Sequence, residues 1–140
     1  MHKPQQQVRD LHRAIEHPAP SKFTPIEDRL KLRLELIREE FSELVGASGY
    51  RVEDFDHGFF AKEGPQDPTT QVDALCDLLV VTFGMAVEMG IDLEPFFDEV
   101  HRTNMAKVGG PKRADGKGLK PLGWTPPDIA GLLKRLHGVG

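Results

Sequence analysis

The sequence predicts an all-α fold, an antiparallel helical bundle, and three observations support this prediction. Apolar residues recur at spacings of three and four in several segments, which is the period of an α-helix. No segment shows the alternation of apolar and polar residues that is typical of a half-buried strand. The length of 140 residues, with 39% hydrophobic and 29% charged residues, fits one soluble domain over residues 1–140.

The first predicted helix covers residues about 4–17. Val8, Leu11 and Ile15 recur there at spacings of three and four, so they share one face of the helix. The helix is expected to end before Pro18, because proline in a helix interior removes a hydrogen bond and clashes with the preceding turn.

A second, longer helix is predicted from Thr24 to about Ala47. Thr24 suits the N-cap, Pro25 suits the first helical position, and Glu27 completes a capping box. An apolar stripe with helical spacing then runs along this helix. Its members are Ile26, Leu30, Leu34, Ile37, Phe41 and Leu44.

The next segment, residues 50–68, contains several glycines and prolines. It is expected to be an irregular connection with at most a short helical turn. Asp67 and Pro68 then open a second long helix, which ends near Gly90. Because this helix is apolar nearly all round, it is expected to be buried on all sides.

Asp92 is expected to cap a further helix over residues about 93–107. Residues 108–127 follow as a basic, loop-like arm that is rich in glycine, proline and lysine. A last short helix is predicted to begin near Asp128 and to end at Gly138. The predicted organisation is therefore one helical domain that carries a basic C-terminal arm.

Composition argues against several classes of protein. The 18 basic and 22 acidic residues give a net charge of −4, whereas a nucleic-acid-binding protein usually needs a basic face. The single cysteine, Cys76, permits neither an internal disulfide nor a cysteine-based zinc site. The first residues lack the apolar core of a signal peptide, and no unbroken apolar run has the length of a membrane span. A cytoplasmic protein without a membrane partner is expected.

Carboxylates interrupt apolar surfaces on both long helices. Glu39, Glu40 and Glu43 lie on the first, and Asp73 and Asp77 lie one turn apart on the second. An uncompensated carboxylate in an apolar interior costs several kcal/mol, on the order of the whole stability of a domain. The second helix carries no lysine or arginine that would neutralise its aspartates locally. The compensation must therefore come from across the bundle, from water or from a bound cation.

Three interpretations of these acids remain open from the residues alone. They line a solvated face or groove, they form salt bridges across the bundle with Arg29 or Arg33, or they bind a divalent cation. An all-oxygen ligand set suits Mg²⁺ first and Mn²⁺ second. A ferritin-like di-iron site is excluded, because no histidine stands three residues after Glu43 or Asp77.

The stretch from Lys107 to Lys120 carries five basic residues and one acidic residue, which suits a phosphate-bearing ligand. Arg113 lies within it, and Asn104 precedes Lys107 by one helical turn, so that both can face one ligand. Trp124 is a candidate to stack on a nucleobase. The alternatives are a solvated arm, ordinary helix capping by Asn104, and core packing of Trp124.

Four segments resemble the MazG-like, all-α nucleoside triphosphate pyrophosphohydrolases. They are LIREEFSEL (36–44), DALCDLLVVTFGMAVEMGID (73–92), EVHRTNMAK (99–107) and DGKGLKPLGWTPPDI (115–129). The later segments look most like the bacterial subgroup that includes a MazG-like dUTP pyrophosphatase. The family pattern E-E-x-x-E is matched by Glu39, Glu40 and Glu43. The second pattern, E-x-x-D, is matched only at Asp77, since Ala74 replaces its glutamate and the nearest acid is Asp73.

The resemblance implies a reaction, a metal and an assembly. The reaction is hydrolysis of a nucleoside triphosphate, with dUTP as the expected substrate, to the monophosphate and pyrophosphate. The resemblance implies that Mg²⁺, with Mn²⁺ as a substitute, is held by Glu40, Glu43 and Asp77. Asp73, on the same helical face one turn before Asp77, is the expected fourth ligand. Glu39, beside Glu40, is the candidate that orients or deprotonates water. A homodimer or dimer of dimers, with sites near subunit boundaries, is also implied.

Two kinds of rival function stay open at this stage. One is a pyrophosphohydrolase that acts on another nucleotide, such as phosphoribosyl-ATP or dCTP. The other is a non-catalytic helical module that binds a nucleotide or a partner chain. In the catalytic case, Lys107, Lys120 and Arg113 are expected to neutralise phosphate charge, while Asn104 and Trp124 contact the nucleotide.

Overall fold

The computed structural model describes residues 1–54 and 58–140, with only the backbone described for Asp54 and Phe59. The described residues are mostly helical with one small hairpin, so the predicted all-α class is confirmed. The elements are α1 (Lys3–Ala14), α2 (Leu30–Ala47), β1 (Tyr50–Asp54), β2 (Phe59–Lys62), α3 (Pro68–Glu88), α4 (Glu94–Met105) and α5 (Ile129–His137). They fall into two compact units: residues 3–91, and residues 1–2 with 92–140.

In the unit of residues 3–91, α3 packs against both α1 and α2. The helices α2 and α3 are antiparallel: Arg29, just before α2, binds Glu88 at the end of α3, and Asp67, just before α3, donates its N–H to the carbonyl of Ala47. The buried apolar side chains of this unit hold the three helices together, at a gain of about 25 cal/mol for each Å² removed from water. They are Val8, Val45, Ala47, Ala74, Ala86, Val87 and Ile91.

The predicted start of α2 at Thr24 is wrong, since the helix begins at Leu30. The backbone N–H of Thr24 instead donates to the carbonyl of Met89, 2.9 Å away, which holds this segment against the end of α3. Gly90 makes the contact possible, because a Cβ there would lie 2.1 Å from the carbonyl oxygen of Lys22. A tertiary contact has therefore overridden a local capping signal.

The segment predicted to be irregular, residues 50–68, contains an antiparallel hairpin of β1 and β2. Tyr50 pairs with Lys62, and the register shifts between Val52 and Asp54, which marks a bulge. The expectation of no strand is therefore wrong for this part of the chain, although residues 55–57 lie outside the described residues. The hairpin carries the chain from the end of α2 to the start of α3.

The predicted bounds of α3 are confirmed. The carboxylate of Asp67 caps the helix by accepting the backbone N–H groups of Thr69 and Thr70, and Pro68 occupies the first turn. Full burial of the helix is not observed, because Val72 and Leu79 are 61% and 55% exposed. Within the described chain α1 and α2 cover only part of its circumference.

By length and composition alone, α3 is apolar enough to cross a membrane, with a mean hydropathy of 1.5. The sequence expectation of no such segment rested on unbroken apolar runs, which Asp77 interrupts. A core helix of a soluble protein passes the same test. Helix α3 contacts α1 and α2 and carries two aspartates. Both observations favour a core helix over a membrane span.

The other unit, residues 1–2 and 92–140, contains α4 and α5, which pack against each other. Asp92 accepts the N–H of Glu94 at the start of α4, and Asp128 accepts the N–H of Gly131 in the first turn of α5. Helix α5 ends at Gly138, whose φ of 67° is the left-handed conformation that closes many helices. The predicted start and end of α5 are confirmed, whereas the N-cap position of α4 is Leu93 and the predicted cap Asp92 lies one residue earlier. The arm between them contains turns and one isolated bridge.

Candidate functional site

The antiparallel arrangement of α2 and α3 places the second half of α2 beside the first half of α3. The acids in these halves are the ones that the sequence singles out. Glu40 and Asp77 are half-buried, whereas the others are exposed to solvent. The cluster consists of Glu39, Glu40 and Glu43 from α2 and Asp73 and Asp77 from α3. It will be called the carboxylate cluster.

Glu40 is the member whose environment is least suited to a negative charge. Burial raises the pKa of its carboxyl, and the negative charges of the other four members of the carboxylate cluster raise it further. Its Oε2 atom is buried and has no hydrogen-bond partner among the described residues. These effects show that the acids of the two helices lie close enough to interact.

The salt-bridge interpretation of these acids is wrong for the part of the chain that the structure describes. Arg29 binds Glu88 through two nitrogens, with distances of 3.0 Å from Nε to Oε2 and 2.8 Å from Nη2 to Oε1. Arg33 also lies near this carboxylate, 3.6 Å from Nη1 to Oε1. Neither arginine pairs with Asp73 or Asp77, so the carboxylate cluster has no described counter-charge.

The donor set of the carboxylate cluster fits a hard divalent cation. All of the groups are carboxylate oxygens. A cation would satisfy the buried oxygen of Glu40, which accepts no hydrogen bond from the described residues. The exposure of Glu39, Glu43 and Asp73 leaves the cluster open to a substrate in solution. An ion bound here would relieve the mutual repulsion that now disfavours the ionised form of Glu40.

The basic arm forms a second candidate site in the unit of residues 92–140. A pocket of about 390 Å³ is lined by polar side chains and by the backbone of three glycines. Its lining residues are Asn104, Lys107, Val108, Gly109, Lys112, Gly116, Lys117 and Gly118. This pocket will be called the lysine pocket.

The structure places the predicted ligand-binding residues of the arm in different surroundings. Asn104 and Lys107 share the lysine pocket, as their spacing predicts, with Lys107 Nζ 3.3 Å from Asn104 Oδ1. Arg113 instead binds Asp115. Lys120 lies over the ring of Trp124, with its Nζ 5.0 Å from the ring centre.

Trp124 is held by three contacts within its own unit. Its Nε1 donates to the carbonyl of Thr103 at 2.8 Å, and the Nζ atoms of Lys107 and Lys120 each lie 5.0 Å from the ring centre. Such cation–π contacts stabilise the arm by about 0.5–1 kcal/mol each at exposed sites. In this structure the tryptophan therefore anchors the arm to α4.

Lys112 and Lys117, which line the lysine pocket, were not predicted from the sequence as ligand-binding residues. These two lysines were counted only in the net positive charge of the arm. The sequence signal for such a pocket is the alternation of glycine and lysine in GKGLK (116–120). Glycines allow a tight loop, which can present backbone N–H groups beside the lysines.

Carboxylates gathered between two antiparallel helices agree with the resemblance to the all-α nucleoside triphosphate pyrophosphohydrolases. The sequence profile of the family described as phosphoribosyl-ATP pyrophosphohydrolase matches residues 8–104, and the chain belongs to this family. The family is part of the MazG-like superfamily, which confirms the broader resemblance and leaves the dUTP subgroup a prediction. A search of curated proteins found no match.

The matched residues include the whole carboxylate cluster and end at Asn104. Enzymes of this family are hydrolases that act on a phosphoanhydride bond of a nucleotide. The basic arm follows the matched region, so the family match covers only Asn104 of the residues that line the lysine pocket.

Proposed function

We propose that this protein is a Mg²⁺-dependent pyrophosphohydrolase that converts a nucleoside triphosphate to the monophosphate and pyrophosphate. The observation that supports the proposal most is the environment of Glu40. Its carboxylate is partly buried, has an oxygen without a hydrogen-bond partner in the part of the chain that the structure describes, and lies near four other acids. Such a group is costly to the fold unless a cation binds there.

The residues of the carboxylate cluster take different roles in this proposal. Glu40, Glu43, Asp73 and Asp77 would hold Mg²⁺, which when bound neutralises phosphate charge and lowers the pKa of water. Glu39 accepts the proton of the attacking water, whose oxygen forms the new bond to phosphorus as the anhydride bond breaks. Asp73, one turn before Asp77, takes the place of the glutamate that Ala74 replaces.

Two substrates have specific support. The resemblance of the segments after residue 73 to the dUTP pyrophosphatase subgroup favours dUTP. The family match favours phosphoribosyl-ATP, the substrate that the family is named for. Both reactions break the same kind of bond and release pyrophosphate, so one assay compares them, with dCTP as a further candidate.

The proposal extends to assembly and location. We infer a homodimer or a dimer of dimers, because apolar residues that the chain leaves uncovered lie on α3, with Val72, Leu75 and Leu79 about half exposed or more. We also infer a cytoplasmic enzyme, in keeping with a biosynthetic or nucleotide-pool role. Neither a nucleic acid nor a membrane is proposed as a partner.

The test is release of pyrophosphate from dUTP, dCTP, phosphoribosyl-ATP and the common nucleoside triphosphates, with Mg²⁺ or with EDTA. Glu40→Ala and Asp77→Ala are each expected to abolish turnover while the helix content measured by circular dichroism is unchanged. Glu35→Ala, on an exposed face of α2, is the matched control and should keep full activity.

Three outcomes would contradict the proposal. Orthophosphate as the first product would indicate a phosphatase. Tight nucleotide binding without metal-dependent turnover would indicate a non-catalytic module. Full activity of Glu40→Ala or Asp77→Ala would remove that residue from the metal site.

A further inference from the structure

The lysine pocket is a defined loop structure. Lys112 pairs with Gly118 in an antiparallel bridge, and the N–H of Arg113 donates to the carbonyl of Lys117 at 2.8 Å. The N–H of Leu119 donates to the carbonyl of Pro111 at 2.8 Å. These bonds fold residues 111–119 back on themselves, so that Lys112 and Lys117 are brought to one pocket.

Glycine is required where this loop approaches α4 and turns. A Cβ on Gly118 would lie 3.3 Å from the Cβ of Lys107, closer than most real contacts of this kind. Gly116 has a φ of 86°, a conformation that other residues rarely adopt. The loop therefore lies directly against the lysine that follows the end of α4.

The lysine pocket offers an excess of positive charge and of hydrogen-bond donors. Asp115 is the one acid between residues 107 and 118, and it already binds the Arg113 side chain and the N–H of Lys117. Asn104 uses its carbonyl oxygen to accept from Lys107, which directs its amide N–H₂ group to other partners. No acidic side chain lines the pocket among the described residues.

We propose that the lysine pocket binds pyrophosphate, the product of the proposed reaction, with Lys112 and Lys117 as its main charge partners. This inference rests on the proposed function and extends it to residues that the family match does not cover. A phosphate monoester carries about −2 at neutral pH, whereas the residues from Lys107 to Gly118 carry a net charge of +3. A diphosphate therefore matches the pocket better than a monophosphate does.

The test measures binding of inorganic pyrophosphate to the full-length chain by calorimetry, in EDTA. Without a metal ion the carboxylate cluster repels this anion, so that binding reports on the lysine pocket alone. The double variant Lys112→Gln/Lys117→Gln is expected to bind pyrophosphate about tenfold more weakly, a change of about 1.4 kcal/mol, because two solvent-exposed charge partners are lost. Lys31→Gln, on the exposed surface of α2, is the matched control and should bind like the wild type.

Ribose 5-phosphate carries a phosphate monoester instead of a diphosphate. It should therefore bind more weakly than pyrophosphate. Equal pyrophosphate affinity of the double variant and the wild type would overturn the inference. So would undetectable binding by the wild type, or tighter binding of ribose 5-phosphate.

The two proposals fail in distinguishable ways. Pyrophosphate binding that depends on Lys112 and Lys117, in a protein that hydrolyses none of the nucleotides, supports the lysine pocket as a diphosphate site and contradicts the proposed reaction. Metal-dependent turnover, in a protein whose double variant binds pyrophosphate as tightly as the wild type does, supports the reaction and contradicts the role of the pocket.

Discussion

The guanidinium of Arg33 lies in the space that a side chain at position 84 would need: a Cβ added to Gly84 would be 2.1 Å from Nη2 of Arg33. The same nitrogen donates to the carbonyl of Val81 at 2.8 Å. Arg33 is 3% exposed, and burial lowers its pKa, while the nearby carboxylate of Glu88 acts in the opposite direction. The glycine on α3 thus lets an arginine from α2 pass between the helices to Glu88.

The first prediction is that Gly84→Ala destabilises the fold by about 1–3 kcal/mol, the usual cost of overpacking a close contact. Denaturant unfolding measures the change. Gly46→Ala on α2 is the matched control, since a Cβ there meets nothing within 4 Å. The control should be neutral or stabilising, because alanine has the higher helix propensity. A Gly84→Ala protein as stable as the wild type would contradict this close contact.

The burial of Arg33 also shows where sequence reasoning on α2 was limited. The spacing of apolar residues predicted a stripe that includes Leu30 and Leu34, yet these side chains are 38% and 54% exposed. The buried position between them is taken by an arginine, because a partner carboxylate and a glycine on α3 accommodate it. A pattern within one helix does not report such partners, which are 48 or more residues away in the sequence.

The carboxylate cluster, in contrast, was predictable from the residues of one helix. Asp77 is the one charge in the apolar segment from Ala74 to Val87, so that its cost is visible in the sequence itself. The lysine pocket was not predictable in this way, because lysines on an exposed arm do not reduce the stability of the fold and so leave no comparable signal in the sequence. The bridge between Lys112 and Gly118 and the backbone hydrogen bonds beside it, which the structure reveals, fold the arm into a pocket.

The second prediction concerns the linkage between Mg²⁺ and stability. The wild type should gain thermal stability with Mg²⁺, by about 2.7 kcal/mol when the ion is at a hundred times its Kd. Glu40→Gln should lose most of this gain. In EDTA it should be at least as stable as the wild type, because the substitution removes a partly buried charge that four other acids disfavour.

Thermal unfolding with and without Mg²⁺ measures both effects. Glu35→Gln, elsewhere on α2, is the matched control and should keep the full gain. The same Mg²⁺-dependent gain in Glu40→Gln as in the wild type would show that Glu40 does not hold the ion.

The third prediction uses the pH dependence of Glu99. Its carboxylate accepts two hydrogen bonds from Arg102, both at 2.8 Å, and the N–H of Asp128 at 2.9 Å, which links α4 to the start of α5. The bonds from Arg102 are the main cause that lowers the pKa of Glu99 from 4.5 to about 2. The stabilisation is therefore present above pH 4.5 and is lost as the pH falls towards 2.

Glu99→Gln should accordingly be less stable than the wild type at neutral pH, and the difference between the two should shrink as the pH falls below 4.5. Thermal unfolding across this range measures the difference. Glu27→Gln, at an exposed glutamate before α2, serves as the comparison and should follow the wild type. A difference that stays constant with pH would show that the ionised form of Glu99 does not stabilise the fold.

The fourth prediction tests the proposed dimer through Leu79, which is 55% exposed on α3. It lines an apolar groove of about 410 Å³ between α1 and α3, together with Leu11, Val80 and Phe83. An exposed apolar groove of this kind is typical of a surface that a partner covers. Leu79→Glu would place a charge in the proposed interface, and an unpaired buried charge costs several kcal/mol, on the order of a thousandfold in affinity.

Light scattering after size exclusion should give an oligomer for the wild type and a monomer for Leu79→Glu, with equal helix content by circular dichroism. Leu122→Glu, at a fully exposed leucine of the arm, is the matched control and should remain oligomeric. Because Leu79 lies two residues from Asp77, loss of the oligomer should also reduce metal-dependent turnover if the site is near a subunit boundary. A monomeric wild type, or an oligomeric Leu79→Glu, would contradict this interface.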